Sequence, residues 1–156
     1  TASVPVAIYA QAMGIGRERL LRAVALADLV TVHQKAGIGC LSAFCGATCA
    51  GCGAGAGIAY LLGGDYKAVA HTIVNALAVV SGMVCDGAKP SCAAKISSAI
   101  DAGILGYELY CRGQEFLDGD GIIRKGVDNT IGNVGRMARS GMRETDRVIQ
   151  DIMCGC

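Results

Sequence analysis

Apolar residues recur with helical spacing along nearly the whole chain, and no segment alternates apolar and polar residues as a half-buried strand does. The pattern predicts helices over residues 4–13, 17–35, 41–62 (as one helix or two), 66–84, 92–111, 126–139 and 142–153. Glycines separate several of these segments, and Asp65 is expected to cap the helix that follows it. The predicted fold class is all-α, a helical bundle forming a single domain over residues 1–156.

Two segments give expectations about burial. The apolar face predicted for residues 17–35 consists of Leu20, Leu21, Val24, Leu26 and Leu29. Residues 41–62 carry no charge and consist largely of glycine, alanine and cysteine, which predicts a central helix surrounded by others. Each glycine inside that helix lowers its propensity by about 1 kcal/mol relative to alanine, a cost that close approach of a neighbouring helix would offset.

The composition and the net charge argue against several classes of function. The net charge is +1 and no basic cluster is visible, so neither nucleic acid nor an anionic membrane is an expected partner. The uncharged run from residue 36 to residue 64 is long enough to span a bilayer. However, its small residues and the lack of tryptophan favour a buried helix in a bundle, so we predict no membrane association.

The chain contains nine cysteines, an odd number in a sequence that is neither short nor loop-rich. This usage favours a reduced, cytoplasmic protein with a metal or cluster site. Cys85 and Cys92 flank a turn that contains Gly87 and Pro90, and Cys45 lies forty residues upstream of Cys85. Three thiols arranged in this way suggest three ligands for one iron–sulfur cluster, with one iron left open for chemistry.

The other cysteines leave alternatives open. Cys45, Cys49 and Cys52 share one helical face, but ligands on one straight helix converge poorly, so at most one or two should bind and the loop should supply the rest. Zinc is the competing metal, although Cys49 and Cys52 form a close pair without a matching second pair. Cys154 and Cys156 end the chain, either incidentally or as thiols that reach a metal site.

Several polar residues are candidates for catalysis or substrate binding. Asp86 and Lys89 lie inside the cysteine loop, where they would be within reach of an open iron; Lys89 is a candidate base, or else a solvated loop charge. Ser42, Asn75 and Ser81 are polar groups in apolar runs, and we interpret them as candidate substrate contacts or as internal hydrogen-bonding groups.

Longer motifs carry a resemblance to a known family. They are Ser42-Ala-Phe-Cys45, Tyr60-Leu-Leu-Gly-Gly64, Ser81-Gly-Met-Val-Cys85-Asp-Gly-Ala-Lys-Pro-Ser-Cys92 and Asp128-Asn-Thr-Ile-Gly-Asn-Val-Gly-Arg136. Together they make the chain resemble the iron–sulfur L-cysteine desulfidases, which are relatives of the α chain of iron–sulfur L-serine dehydratases. The cysteine loop is the most specific part of this likeness.

The resemblance implies a catalytic helical domain with a [4Fe–4S] cluster on Cys45, Cys85 and Cys92. The implied reaction is β-elimination of H₂S from L-cysteine, giving pyruvate and ammonia without pyridoxal phosphate. Dehydration of L-serine is the alternative reaction. A non-catalytic iron–sulfur or zinc module, structural or sensing, is the alternative from another class.

The resemblance also implies partners. Family members are longer, so the chain is expected to be a C-terminal portion that works with an N-terminal portion or partner subunit. We further expect a small amino-acid substrate and a homo-oligomer. Cys156 is a possible additional cluster ligand, because serine-type relatives can place a C-terminal cysteine there.

Overall fold

The computed structural model describes residues 1–155. Within that range lie seven α-helices: α1 Ser3–Ala12, α2 Arg17–Ile38, α3 Gly46–Leu61, α4 Tyr66–Val80, α5 Ser91–Cys111, α6 Val127–Arg136 and α7 Arg143–Cys154. A single π-helical turn, Met137–Gly141, joins α6 to α7. The prediction of an all-α fold is confirmed.

The central element is α3, which packs against α2, α4 and α5 and is buried from Thr48 to Ala59. Two of its glycines, Gly51 and Gly55, are required by contact with α5. A Cβ on Gly51 would lie 2.2 Å from the carbonyl oxygen of Ala99, and one on Gly55 would lie 2.6 Å from that of Gly103. The prediction of a buried helix rich in glycine, alanine and cysteine is therefore confirmed, and tight packing against backbone is the reason for these two glycines.

The predicted inner face of α2 is partly wrong. Leu21 and Leu29 are 56% and 68% exposed, whereas Ala23 and Ala27 are fully buried. The reason is again the glycines of α3, because a Cβ on Gly53 would lie 2.4 Å from the carbonyl oxygen of Ala27. Backbones that approach so closely leave room only for small side chains, so alanines face α3, Leu21 and Leu29 turn away, and Leu20 and Val24 stay partly buried.

α3 begins later and α4 ends earlier than the pattern predicts. Residues 43–45 do not belong to α3, and residues 83–85 do not continue α4, because these two segments pair with each other in extended conformation. In contrast, the predicted cap of α4 is confirmed: the carboxylate of Asp65 accepts a hydrogen bond of 2.9 Å from the N–H of Ala68.

The remaining helices complete the bundle. α1 packs on α2 and α3, and α6 packs on α2 and α4. α7 follows the π-helical turn and has no buried residue. None of the helices in residues 1–155 combines the length and apolar character needed to cross a membrane.

Candidate functional site

Two of the three cysteine segments are joined by backbone hydrogen bonds. The N–H of Cys45 donates to the carbonyl oxygen of Met83 at 3.0 Å, and the N–H of Cys85 donates to that of Ala43 at 2.6 Å. Phe44 and Val84 form the antiparallel bridge between these bonds, and Phe44 is 1% exposed. The buried phenyl ring thus anchors a two-stranded pairing that brings Cys45 and Cys85 to the same end of the bundle.

The loop after Cys85 returns the chain to that end. Gly87 has a φ of +87°, a conformation that disfavours side chains. The N–H of Cys92 donates to the carbonyl oxygen of Lys89 at 2.9 Å. The Cys92 thiol lies 3.5 Å from the carbonyl oxygen of Gly87. Pro90 sits just before the first turn of α5. The turn therefore folds Cys92 back towards the segment that holds Cys85.

The N-termini of α3 and α5 give the region around the cysteines a positive electrostatic potential. Cys45 is the residue that precedes α3, and Cys92 lies in the first turn of α5. The N-termini of helices carry partial positive charge, which stabilises thiolates and bound anions. Cys45 is buried, Cys92 is half-buried and Cys85 is exposed, so one side of the group faces solvent.

An ion-pair network supports the loop, and it includes a residue that the sequence did not single out. The ammonium group of Lys95 donates to the carbonyl oxygen of Val84 at 2.8 Å and also binds Asp86, which pairs with Lys89 as well. Because Lys95 lies one helical turn after Cys92, it ties α5 to both sides of Cys85. The sequence feature that could have pointed to Lys95 is its position three residues after Cys92, on the same face of the helix.

The pKa values of Asp86 and Lys95 depend on the contact between the two side chains. Hydrogen bonds from Lys89 and Lys95 lower the pKa of Asp86 from 3.8 to about 2. The bond to Asp86 is also the main reason that the pKa of Lys95 is raised. Asp86 is thus held as a carboxylate throughout the neutral range.

The candidate substrate contacts lie in different places. Ser42, three residues before Cys45, donates to the carbonyl oxygen of Ala138 at 3.0 Å and accepts from the N–H of Phe44 at 3.1 Å, which fixes the paired segment to the π-helical turn. Ser81 lies between α4 and the other paired segment. Both serines are therefore near the cysteine loop, and their contact with substrate stays a prediction.

Asn75 lies farther along α4 and is completely buried. Its amide nitrogen donates to the carbonyl oxygen of Gly106 at 3.0 Å, and its amide oxygen accepts from the N–H of Phe116 at 3.2 Å. Both ends of the amide are used to hold α5 and the loop that follows it. The structure thus gives Asn75 a positioning role, and its contact with substrate stays untested.

The neighbouring thiols behave as core residues. Cys49 and Cys52 are 1% and 0% exposed and belong to the main hydrophobic cluster. Burial raises the pKa of Cys49 to about 11 and raises the pKa of Cys52 still further. Neither environment favours a thiolate, which agrees with the expectation that few of the cysteines on this helix bind metal.

The C-terminal helix reaches the same loop. A Cβ on Gly87 would lie 2.9 Å from the terminal methyl carbon of Met153, so the end of α7 packs over the turn. Cys154 is exposed there. Cys156, the possible additional ligand, lies outside the described residues.

Zinc and a four-iron cluster make different demands on the cysteines that would bind them. Across residues 1–155 no three His, Cys, Asp or Glu side chains are close enough to hold a single metal ion, which a structural zinc site requires. A four-iron cluster binds its cysteines at separate irons and does not need them in mutual contact. A Cβ on Gly46 or Gly82 would meet no atom within 4 Å, so there is open space beside Cys45. Two thiols at helix N-termini, a third on the segment paired with Cys45, and open space beside Cys45 are compatible with a cluster.

Comparisons with known proteins place the chain in a family. The sequence model of the serine dehydratase alpha chain matches residues 2–151. The chain belongs to the serine dehydratase alpha chain family. This family depends in general on iron–sulfur chemistry and is of the lyase type, which agrees with the donor set at the cysteine loop.

Individual relatives of this serine dehydratase alpha-like chain are longer proteins. A "UPF0597 protein" of Desulfitobacterium hafniense is 61% identical over 98% of the chain, and one of Treponema denticola is 48% identical over 97%. A third, from Lachnoclostridium phytofermentans, is 49% identical over 98%. The chain spans only 35–37% of the length of these relatives. No solved structure matches it.

Proposed function

We propose that this chain forms the cluster-binding part of a lyase that eliminates H₂S from L-cysteine, with a [4Fe–4S] cluster on Cys45, Cys85 and Cys92. The observation that supports this most is the pairing of residues 43–45 with residues 83–85, which brings two distant cysteines together beside the start of α5. Membership in the serine dehydratase alpha chain family supports the iron–sulfur chemistry and the lyase class.

The reaction breaks the α-C–H bond and the Cβ–S bond of L-cysteine. The resulting aminoacrylate takes up water to give pyruvate and ammonia, so atoms balance with one water consumed and one H₂S released. When bound, a cluster with one iron not ligated by cysteine would act as a Lewis acid towards the leaving group. No pyridoxal phosphate is needed in this scheme.

The chain's own residues would prepare the site. The helix N-termini and Lys95 would stabilise the three thiolates electrostatically. Ser42 and Ser81, close to the paired segments, are proposed to contact the substrate, with Asn75 acting from deeper in α4. Lys89 and Asp86 are proposed to take part in proton transfer: the neutral amine of Lys89 would accept the α-proton, and the Asp86 carboxylate would stabilise the ammonium group that forms.

The first experiment tests the ligand set. The chain is reconstituted anaerobically with iron and sulfide, and bound iron, bound sulfide and visible absorbance are measured. We expect about four irons and four sulfides per chain, and expect that C45S, C85S or C92S each loses most of them. Cys111→Ser is the matched control, because Cys111 is exposed at the far end of α5. Retention of the full cluster by all three variants would contradict the proposed ligand set.

The second experiment tests the reaction. Sulfide and ammonia release from L-cysteine and L-serine are measured side by side, with the reconstituted chain and with the full-length relative of Desulfitobacterium hafniense. Equal release of sulfide and ammonia from L-cysteine, with little ammonia from L-serine, is the expected result. The full-length protein is included because an N-terminal portion or partner subunit is proposed to supply further active-site residues.

Dehydration of L-serine is the second candidate, and the description of the matching family favours it. Ammonia release from L-serine without sulfide release from L-cysteine would assign the protein to that reaction. A non-catalytic module is the third. One zinc per chain, or a cluster without activity on either amino acid in the full-length relative, would favour it.

The setting of the protein is part of the proposal. We propose a cytoplasmic homo-oligomer that acts on a small amino acid, with no role for nucleic acid or membrane. Cys156 is proposed as an additional cluster ligand, since Met153 of α7 already packs against Gly87 of the cysteine loop.

A further inference from the structure

One cavity of the described chain lies away from the cysteine loop. A cavity of about 490 Å³ opens between the N-terminal half of α4 and the connection from α5 to α6, residues 112–126. None of the residues that line the cavity belongs to the paired segments or to the cysteine loop, and on α4 the lining ends at Val74, about 9 Å before Val80 at 1.5 Å per residue. The cavity is therefore separate from the proposed cluster site.

The connection that forms one wall is long and irregular, yet buried polar side chains hold it in place. Thr130, which is fully buried, both accepts from the N–H of Arg124 and donates to its carbonyl oxygen at 3.1 Å. Asn75 holds Phe116, and Asn133 donates to the carbonyl oxygen of Ile122 at 2.9 Å. Ordered connections of this length in compact domains are usually functional.

The floor and the rim of the cavity differ in chemistry. Val74 and Ile123 in the floor are 7% and 2% exposed. Lys67, Arg124 and Lys125 line the rim together with the carboxylate of Asp118. A second carboxylate, that of Glu115, lies beside the cavity, 3.9 Å from the ammonium group of Lys67 and 3.3 Å from the ring of His71. One oxygen of Asp118 already accepts the backbone N–H of Lys125 at 3.0 Å. Positive charge therefore exceeds negative charge around an apolar pocket.

The two rim residues of the connection are available to a ligand. The guanidinium group of Arg124 donates only to the carbonyl oxygen of the adjacent Ile123, at 3.3 Å, among the described residues. Within the described chain, neither Arg124 nor Lys125 has a carboxylate partner within 4 Å. Since Thr130 fixes the backbone at Arg124, a ligand would have to order the side chains of the two cations but not the chain that carries them.

We propose that this cavity binds a small organic carboxylate with an apolar body. The carboxylate would lie against Arg124 and Lys125, and the hydrocarbon part would cover the apolar floor. His71 forms a further wall, where its ring stacks on Tyr110 with centroids 5.7 Å apart. A free inorganic anion would contact the cations but leave the apolar floor uncovered. A neutral compound would cover the floor but make no ion pair with the cations.

The test uses the whole chain and three probes. Sodium 3-methylbutanoate, its neutral isostere 3-methylbutanamide and inorganic phosphate are titrated separately while backbone amide signals are followed by ¹H–¹⁵N NMR. Saturable shifts in residues 116–127 with the carboxylate, and much weaker ones with the other two probes, are expected. Equal responses to the carboxylate and the amide, or to the carboxylate and phosphate, would overturn the proposal.

Substitution of the two cations tests whether they bind the carboxylate. R124Q combined with K125Q should weaken binding of 3-methylbutanoate by about tenfold or more, because the carboxylate loses both of its charge-assisted partners. Arg147→Gln is the matched control, since Arg147 is exposed on α7 and outside the cavity. Unchanged binding in the double variant would sink the proposal. So would concentration-dependent dimer formation that perturbs the same signals without added probe, because it would assign the surface to a second copy.

Discussion

At the scale of single residues, the environment of Asp86 is the most specific feature of the cysteine loop. Its carboxylate accepts from two lysines, one in the loop and one in the first turns of α5. The sequence predicted Asp86 and Lys89 because they lie between Cys85 and Cys92. Lys95 could not be singled out, because its bond to the carbonyl oxygen of Val84 depends on how α5 packs against the paired segments.

This environment predicts an unusual titration. The pKa of Asp86 is lowered to about 2 by Lys89 and Lys95, so its contribution to stability is present above the ordinary value of 3.8. That contribution is lost as the pH falls through about 2. We expect ¹³C NMR of the Asp86 carboxyl group to give a midpoint near 2, and the K89Q/K95Q double variant to move it back towards 3.8.

A midpoint of Asp86 that is the same in the wild type and the double variant would contradict the ion-pair network.

At the scale of elements, the crossing of α3 and α5 depends on glycine. A Cβ on Gly103 would lie 2.4 Å from the carbonyl oxygen of Gly51, and one on Gly55 would lie 2.6 Å from that of Gly103. Backbone cannot move aside as a flexible side chain can. The uncharged, small-residue character of α3 predicted a buried helix, but the partner that required each glycine was decided by packing.

This crossing predicts opposite effects of two glycine substitutions. Gly55→Ala should lower the free energy of unfolding by about 1–3 kcal/mol or more, because the new methyl group meets backbone. Gly132→Ala should raise it by about 0.5–1 kcal/mol, because a Cβ there meets nothing within 4 Å and alanine favours the helix. Urea unfolding followed by circular dichroism measures both. Equal effects of the two substitutions would refute the proposed crossing.

At the scale of the whole molecule, the hydrophobic core and the cysteine loop are different parts of the bundle. The main hydrophobic cluster contains residues of α2, α3, α4 and α6, together with Phe44 from the paired segment. Of the three proposed ligands, Cys85 is exposed and Cys92 is half-buried. The fold is therefore built mainly from contacts that a cluster would not supply.

This separation predicts that the chain folds without iron. The metal-free chain should give a helical circular dichroism spectrum and one cooperative thermal transition, and the C85S/C92S double variant should change the free energy of unfolding by less than about 1 kcal/mol. Cys52→Ser is the contrasting variant, because Cys52 is fully buried and an unpartnered hydroxyl there should cost about 1–3 kcal/mol. A chain that unfolds on removal of iron would instead favour a structural metal module.

Local pattern alone determined much of this protein. Helical spacing and glycine breaks located every helix in the described chain to within a few residues, and the spacing of Cys85 and Cys92 around a turn indicated where to look for chemistry. Tertiary structure decided the rest. The pairing of residues 43–45 with 83–85, the alanine face of α2 and the reach of Lys95 each depend on contacts between segments far apart in sequence. Such contacts follow from how closely backbones approach one another, which a periodic pattern of apolar residues does not encode.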